Sequence, residues 1–246
     1  MRKILLLLGA LAFPVQAGFV GNTAIMYPPA AAGGITIESK TVNTDPGSVS
    51  SITLTKPTGV ATDDFLILLV GNDDGTNFST WIDFDPTNWT QEWEYGNSSS
   101  DAQISAYWRI ADGTEATTVT PTHAGSAQTW GVYIRLDGVD TTTPFDVAES
   151  NVVSVGSTAT APSITTATNN ALALVLWAWD GADGSTFSID NGFSIEDDIT
   201  AGSGGNASSG GWATKSIATA GAIGATIVTA STSDGNTAAQ FALRPE

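Results

Sequence analysis

The sequence predicts an all-β protein, an antiparallel β-sandwich that is jelly-roll-like and built from two similar halves. Short segments rich in Val, Ile, Thr, Leu and aromatic residues alternate with clusters of Gly, Asn, Asp and Pro, which is typical of many short strands joined by turns. No segment carries a convincing amphipathic helical period. Similar segments recur in the same order about 107 residues apart, which indicates an internal duplication with pseudo-two-fold symmetry.

Composition sets limits on the class of protein. The 246 residues are enough for one large domain or two small ones with a buried core. Asp and Glu number 25 against 8 Lys and Arg, a net charge of −17, which argues against a nucleic-acid partner because phosphate binding needs clustered basic residues. The chain has no Cys, so disulfides and thiolate metal sites are excluded. Charged residues make up 13%, and this low share is typical of an extracellular β-rich protein.

Residues 1–17 have the features of a secretory signal peptide. Arg2 and Lys3 precede the apolar segment 4–13, and small residues follow just before Gly18. The apolar segment is shorter than the roughly 20 residues of a membrane-spanning helix, and no second segment of that length follows. We therefore expect the mature chain to be secreted or displayed on a cell surface, filament or virion without membrane insertion. An uncleaved anchor and a buried Leu-rich strand are the alternatives for this segment.

Residues 18–34 are predicted to form a flexible leader or assembly arm. They contain Pro28 and Pro29 and have neither a helical nor a strand period. An apolar leader of this kind suits strand donation to a neighbouring subunit, which is one route to self-assembly.

From residue 35 onward the chain is predicted to fold as strands, because β-branched and aromatic residues are bounded by turn residues. The clearest strand segments are 52–54, 65–70, 103–110, 117–120, 130–136, 171–179, 211–217, 225–228 and 238–243. Residues 65–70 and 171–176 are apolar at every position, so both segments need cover on both faces. This requirement favours one sandwich of two packed sheets with roughly ten strands, and two tandem sandwiches are the alternative.

The repeated segments divide the chain into halves of about 35–138 and 139–246. Residues 63–70 (DDFLILLV) match residues 169–176 (NNALALVL). The further matches are 106–111 with 213–218, 116–120 with 225–229, and 132–138 with 239–245. Each half is therefore expected to contribute an apolar strand, a polar Asp/Gly loop and three later strands.

A set of turn and core motifs carries a resemblance to a known group of proteins. The motifs are 56–60 (KPTGV), 63–66 (DDFL), 86–90 (PTNWT), 107–115 (YWRIADGTE), 136–140 (LDGVD), 144–146 (PFD), 161–166 (APSITT) and 242–245 (ALRP). Over residues 36–246 the chain resembles the β-sandwich module of tail-fibre and other virion structural proteins of tailed bacteriophages and of secreted or surface proteins of marine bacteria. The resemblance implies a fold more than an activity, and the signal peptide favours a bacterial secreted or surface protein.

The segment 81–95 is the richest in side chains that could bind a ligand, because carboxylates and aromatic rings interleave there. The candidates are Trp81, Asp83, Asp85, Glu92, Trp93, Glu94 and Tyr95. On a regular strand Glu92 and Glu94 would share one face, and Trp93 and Tyr95 would share the other. Paired carboxylates beside an aromatic platform suit a glycosidase, and the same set suits sugar binding without catalysis. An ordinary core strand with a solvated edge is the third interpretation.

Two Asp/Gly loops, 72–77 and 180–185, follow the two matching apolar strands and are candidate calcium sites. Their candidate ligands are Asp73, Asp74, Asp180 and Asp183. Carboxylates, amides and carbonyls close together on a turn are the hard oxygen ligands that calcium prefers. Neither loop has the complete spacing of an EF-hand, and polar hairpin turns are the alternative.

Catalytic side chains are otherwise scarce. His123 is the only histidine, and no Gly-x-Ser-x-Gly nucleophile elbow accompanies it. The sequence therefore predicts a non-enzymatic, secreted structural or adhesive protein at a cell or virion surface, which self-assembles or binds glycans. The alternative is a carbohydrate-active hydrolase that uses the segment 81–95.

Overall fold

The computed structural model describes residues 33–73, 81–82, 89–96, 101–181, 186–204 and 207–246, with Trp81 and Ile82 described by their backbone. These ranges belong to the compact unit Ala32–Glu246. The predicted signal peptide and all but the last two residues of the predicted leader lie outside them. Within these ranges the structure is all β, as predicted.

Each half of the chain contributes eight strands within the described ranges. The first half contains β1 (Thr36–Ser51), β2 (Leu54–Thr55), β3 (Phe65–Asp73), β4 (Trp81–Ile82), β5 (Thr90–Gly96), β6 (Ala102–Ile110), β7 (Thr118–Val119) and β8 (Thr122–Asp137). The second half contains β9 (Phe145–Ala161), β10 (Ile164–Thr165), β11 (Ala171–Asp180), β12 (Phe187–Ile189), β13 (Ser194–Ala201), β14 (Ser208–Ile217), β15 (Ala222–Ile223) and β16 (Thr226–Leu243).

The strands form two large antiparallel sheets and two small ribbons. Sheet 1 has the order β1-β8-β3-β6-β5, with β4 also paired to β8. Sheet 2 has the order β9-β16-β11-β14-β13, with β12 also paired to β16. The ribbons are β2-β7 and β10-β15. In each half the first strand pairs with the eighth and the second with the seventh, which is jelly-roll pairing.

Strand order therefore corresponds between the halves, strand for strand. The turn before each central strand also corresponds, one residue out of step with the sequence match of 63–70 to 169–176: Asp63 lies before β3 with φ of 73°, and Asn170 lies before β11 with φ of 62°. Phe65 and Leu172, which follow these turns by two residues, both belong to the core between the sheets. Asp and Asn adopt this left-handed conformation more readily than other non-glycine residues. The correspondence is one of topology and local geometry, and the duplication itself stays a prediction.

The main core lies between the two sheets. Alternate residues of β3, among them Phe65, Ile67 and Leu69, pack against residues of sheet 2 such as Leu174 and Phe241. Every described residue of β3 is buried, as are the first nine of β11. The expected cover on both faces of these two strands is thus present.

The outer face of each sheet has its own small core. Leu54 of β2 covers Leu66 and Leu68 on sheet 1. On sheet 2 the ribbon β10-β15 and strand β12 cover Trp177 and Trp179. Two packed sheets, each with a ribbon on its outer side, bury both faces of the central strands.

Trp130 of β8 lies in the gap between the sheets and requires two glycines. A Cβ atom at Gly71 of β3 would lie 2.4 Å from the indole, and one at Gly210 of β14 would lie 2.3 Å from it. Because Gly71 belongs to sheet 1 and Gly210 to sheet 2, this ring sets how closely the sheets approach.

The sheets also meet along their margins at two seams. At the first seam β1 of sheet 1 contacts β13 of sheet 2, and at the second seam β5 of sheet 1 contacts β9 of sheet 2. Lys40 of β1 lies 2.8 Å from the Asp197 carboxylate and 3.7 Å from that of Glu196, both on β13. The first seam is therefore closed by ion pairs.

Candidate functional site

The edge strand β5 carries four of the predicted ligand-binding residues, and a β-bulge alters their arrangement. Gln91 pairs with Tyr107 and Trp93 with Ala106, so Glu92 is the extra residue. Glu92 accepts a hydrogen bond from the indole of Trp108, on the inner face of sheet 1. Glu94 lies on the opposite, outer face. The expectation that the two carboxylates share a face is therefore wrong, because the bulge breaks the alternation between them.

Glu94 lies among amide side chains on the outer face. Its carboxylate accepts hydrogen bonds from Nε2 of Gln91 at 2.8 Å and from Nε2 of Gln103 at 2.6 Å. Burial is the main cause of the raised pKa of Tyr107, and the negative charge of Glu94 adds to the rise. These contacts give Glu94 a structural role on β5 and β6.

The two aromatic side chains of β5 pack inward. The Trp93 ring stacks on Tyr95 with centroids 5.5 Å apart and meets Phe241 of sheet 2 edge-on at 5.5 Å. Trp93 is 5% exposed, so it has no open face for a ligand. Its ring is part of the inter-sheet core.

The second seam contains two carboxylates, those of Glu92 and Glu149, and no basic side chain of the described residues lies between them. Tyr95 donates a hydrogen bond to Glu149 of β9. Burial raises the pKa of Glu92, and the nearby charge of Glu149 adds to the rise, while the hydrogen bond from Trp108 opposes it. The two seams thus differ in charge.

The remaining candidates in this segment are Trp81, Asp83 and Asp85. The backbone of Trp81 pairs with His123 in β4-β8. Asp83 and Asp85 lie outside the described residues. The predicted hydrolase therefore has two of its four carboxylates in the described ranges, and those two lie on opposite faces of β5.

A pocket that the sequence did not predict lies on the outer face of sheet 1. It has a volume of about 220 Å³ and is lined by Trp89, Arg109, Glu115, Tyr133 and residues of and beside β7. Trp89 meets the Tyr133 ring edge-on at 5.5 Å, and the Arg109 guanidinium carbon lies 6.0 Å from the centre of the indole. The pocket therefore combines aromatic surface with charged groups.

The polar groups of this pocket are held in place by burial and ion pairing. Arg109 is 7% exposed, and its Nη2 lies 3.2 Å from carboxylates of both Glu115 and Asp112. The Tyr133 hydroxyl is buried without a hydrogen-bond partner, and burial raises its pKa. The sequence holds one signal for this pocket that the sequence analysis did not use: Arg109 is the single basic residue of the strand segment 103–110.

The predicted calcium ligands Asp73 and Asp180 are brought together. Asp73 lies four residues after Leu69 and Asp180 four residues after Leu176, and both leucines belong to the inter-sheet core. Strand alternation therefore directs both carboxyl groups into the gap between the sheets. The two side chains share a hydrogen bond. Asp74 and Asp183 lie outside the described residues.

Two further carboxylates, from Asp101 and Asp234, act on Asp180. Burial first, then the charges of Asp234 and Asp101, raises the pKa of Asp180 to about 6, and the hydrogen bond with Asp73 opposes the rise. As the side chains stand, no group of three or more acidic or histidine residues in the described ranges has metal-ligating geometry.

The single histidine, His123, is buried on the outer face of sheet 1. Its Nε2 lies 3.2 Å from Oγ1 of Thr129, and burial lowers its pKa to about 4. The imidazole is therefore neutral near pH 7.

Comparisons with protein families, with curated proteins and with solved structures give no match to this chain. The resemblance to phage and marine bacterial sandwich modules stays a prediction. Among the residues that the structure describes, no helix has the length and apolarity needed to traverse a bilayer.

Proposed function

We propose that this protein is a non-enzymatic, secreted or surface-displayed β-sandwich that binds glycans through the pocket around Trp89. The observation that carries the proposal is the pocket itself, in which two aromatic residues, Trp89 and Tyr133, and an ion pair, Arg109 with Glu115, line one small cavity. Ligand sites of this kind pair apolar surface with a few fixed polar groups.

The chemistry of the pocket suits a sugar ring. The C–H groups of a sugar pack against an aromatic face, and its hydroxyls both donate and accept hydrogen bonds. Among the lining residues, Arg109 supplies donors and Glu115 supplies acceptors. A volume of about 220 Å³ is below the usual range for drug-sized ligands, so it fits a single ring at the end or branch of a glycan.

The same geometry supports binding without catalysis. Glycoside hydrolysis uses two carboxyl groups on either side of the scissile bond. Among the described residues, Glu115 is the one carboxylate that lines this pocket, and it is engaged by Arg109. On β5, Glu92 and Glu94 point away from each other.

The test is a glycan array probed with the labelled chain, followed by titration of the best ligand. Ala116 is exposed at the pocket rim, so Ala116→Trp fills the entrance without disturbing the core. Ala124 is exposed on β8 and is not among the lining residues, so Ala124→Trp is the matched control. We expect Ala116→Trp to abolish binding and Ala124→Trp to retain it.

Two results would contradict this proposal. Equal binding by the two tryptophan variants would place the glycan elsewhere. Release of new reducing ends from a bound polysaccharide would make the protein a hydrolase. Self-assembly through residues 18–34 stays a separate prediction, because residues 18–32 lie outside the described ranges.

A further inference from the structure

A cluster of four carboxylates lies at one end of the gap between the sheets, away from the glycan pocket on the outer face of sheet 1. Asp73 ends β3 and Asp101 directly precedes β6, so both belong to sheet 1. Asp180 ends β11, and Asp234 lies on β16, so both belong to sheet 2. Each sheet thus supplies two carboxylates to the same end of the sandwich.

Two buried oxygens at this end have no hydrogen-bond partner. Ser208 is fully buried and its Oγ is unpartnered. It pairs directly with Asp180 in the β11-β14 ladder, so both side chains project from the same face of sheet 2, into the gap. Oδ1 of Asp101 is likewise buried and unpartnered. Buried oxygens without partners are rare and costly, and a cation is a partner that both could share.

No basic side chain of the described residues neutralises Asp101, Asp180 or Asp234. The six basic side chains in the described ranges all bind elsewhere; they are Lys40, Lys56, Arg109, Arg135, Lys215 and Arg244. Like charges in a partly buried site repel one another strongly, because the effective dielectric constant is lower than in water. The end of the gap therefore has an excess of negative charge that the described part of the chain does not compensate.

We propose that a calcium ion binds at this end of the gap and joins the two sheets, with carboxylate ligands from Asp73, Asp101, Asp180 and Asp234 and a hydroxyl ligand from Ser208. Calcium accepts six to eight oxygen ligands in flexible geometry, whereas magnesium requires a near-ideal octahedron and retains its waters. Since the carboxylates are not yet gathered around one point, binding requires side-chain rotations at these strand ends.

The test is a calcium titration of the full chain, followed by thermal unfolding and by terbium luminescence. Terbium replaces calcium at oxygen sites, and Trp130, which contacts Gly71 and Gly210 near this end, can sensitise it. Extracellular calcium modules have Kd values of roughly 10⁻⁴–10⁻³ M. At about a hundredfold excess over Kd, calcium should raise Tm by roughly 5–10 °C.

Variants assign the response to this cluster. We expect Asp180→Asn and Asp234→Asn each to weaken calcium binding at least about tenfold, and Ser208→Ala to weaken it less. Asp137→Asn removes the same charge from an exposed site on sheet 1 and should leave the response unchanged. Having two carboxylate variants keeps the test decisive if one of them fails to fold.

Three outcomes would overturn the proposal. They are a wild-type Tm that does not respond to calcium at about 100 mM, a hundredfold excess over a Kd of about 10⁻³ M, an equal response in Asp180→Asn and wild type, and an equal response to magnesium and calcium. None of these outcomes bears on the glycan pocket, since glycan binding is measured with Ala116→Trp at a separate site.

Discussion

Replacement of Asp180 by Asn should stabilise the protein at neutral pH in the presence of a chelator. The pKa of Asp180 is raised from 3.8 to about 6, so the folded state binds this proton more tightly than the unfolded state does. The contribution of protonated Asp180 to the free energy of unfolding is therefore fully present below about pH 4 and is lost as the pH rises through 6. Asp180 is half-buried, so solvent screening leaves a loss of about 1–2 kcal/mol at pH 8.

Asn cannot ionise, so the variant avoids this loss. We expect the free energy of unfolding of Asp180→Asn to exceed that of wild type by about 1–2 kcal/mol at pH 8, which is roughly 2–8 °C in Tm for a chain of this length. The advantage should shrink toward zero near pH 4, where Asp180 is protonated in wild type as well. The groups that act on Asp180 are Asp73, Asp101 and Asp234, and they are unchanged in the variant.

The assay is urea unfolding followed by tryptophan fluorescence at five pH values from 4 to 8, with Asp137→Asn as the charge-matched control. A variant that is less stable than wild type at pH 8 would refute the reasoning. A difference that does not change with pH would also refute it, because the effect would then not come from ionisation.

Two further predictions concern the contacts between the sheets. Gly210→Ala should destabilise the fold by about 1–3 kcal/mol, since its Cβ would lie 2.3 Å from Trp130 and 2.4 Å from a backbone oxygen. Gly221→Ala is the control, because its Cβ would meet nothing within 4 Å. Equal stability of the two variants in thermal unfolding would contradict the predicted clash at Gly210. Lys40→Met should lower the free energy of unfolding by about 0.5–1 kcal/mol in low salt and by less in high salt, because the ion pairs of the first seam are partly exposed. A loss of stability that does not depend on salt in urea unfolding would point to packing of the lysine stem instead.

The sequence predicted the central strands well, for a physical reason. Residues 65–70 and 171–179 are buried on both faces, so hydrophobicity alone marked them, and they form most of β3 and β11. The long edge strands β1 and β9 were not predicted. Their residues are mostly polar and half-exposed, and their pairing with β8 and β16 comes from backbone hydrogen bonds rather than from an apolar pattern.

The candidate site was predicted in part, and the misses concern geometry. Asp73 and Asp180 were named as ligands of separate loops, but their meeting across the gap depends on how the sheets pack. The faces of Glu92 and Glu94 could not be derived from strand alternation, since one bulge reverses their relation. The pocket around Trp89 joins residues from just before β5, from β6, from β7 and from β8, and no local motif contains that set.

The charges at the two seams bear on which halves can associate. Lys40 on β1 and Glu149 on β9 occupy comparable places, each on the first strand of its half and each facing the bulged fifth strand of the other half. Two copies of the first half, paired through their large sheets, would set Lys40 against Glu92 at both seams. Two copies of the second half would set Glu149 against Glu196 at both, which is repulsive. The charges at the seams therefore favour pairing of a first half with a second half over pairing of two second halves.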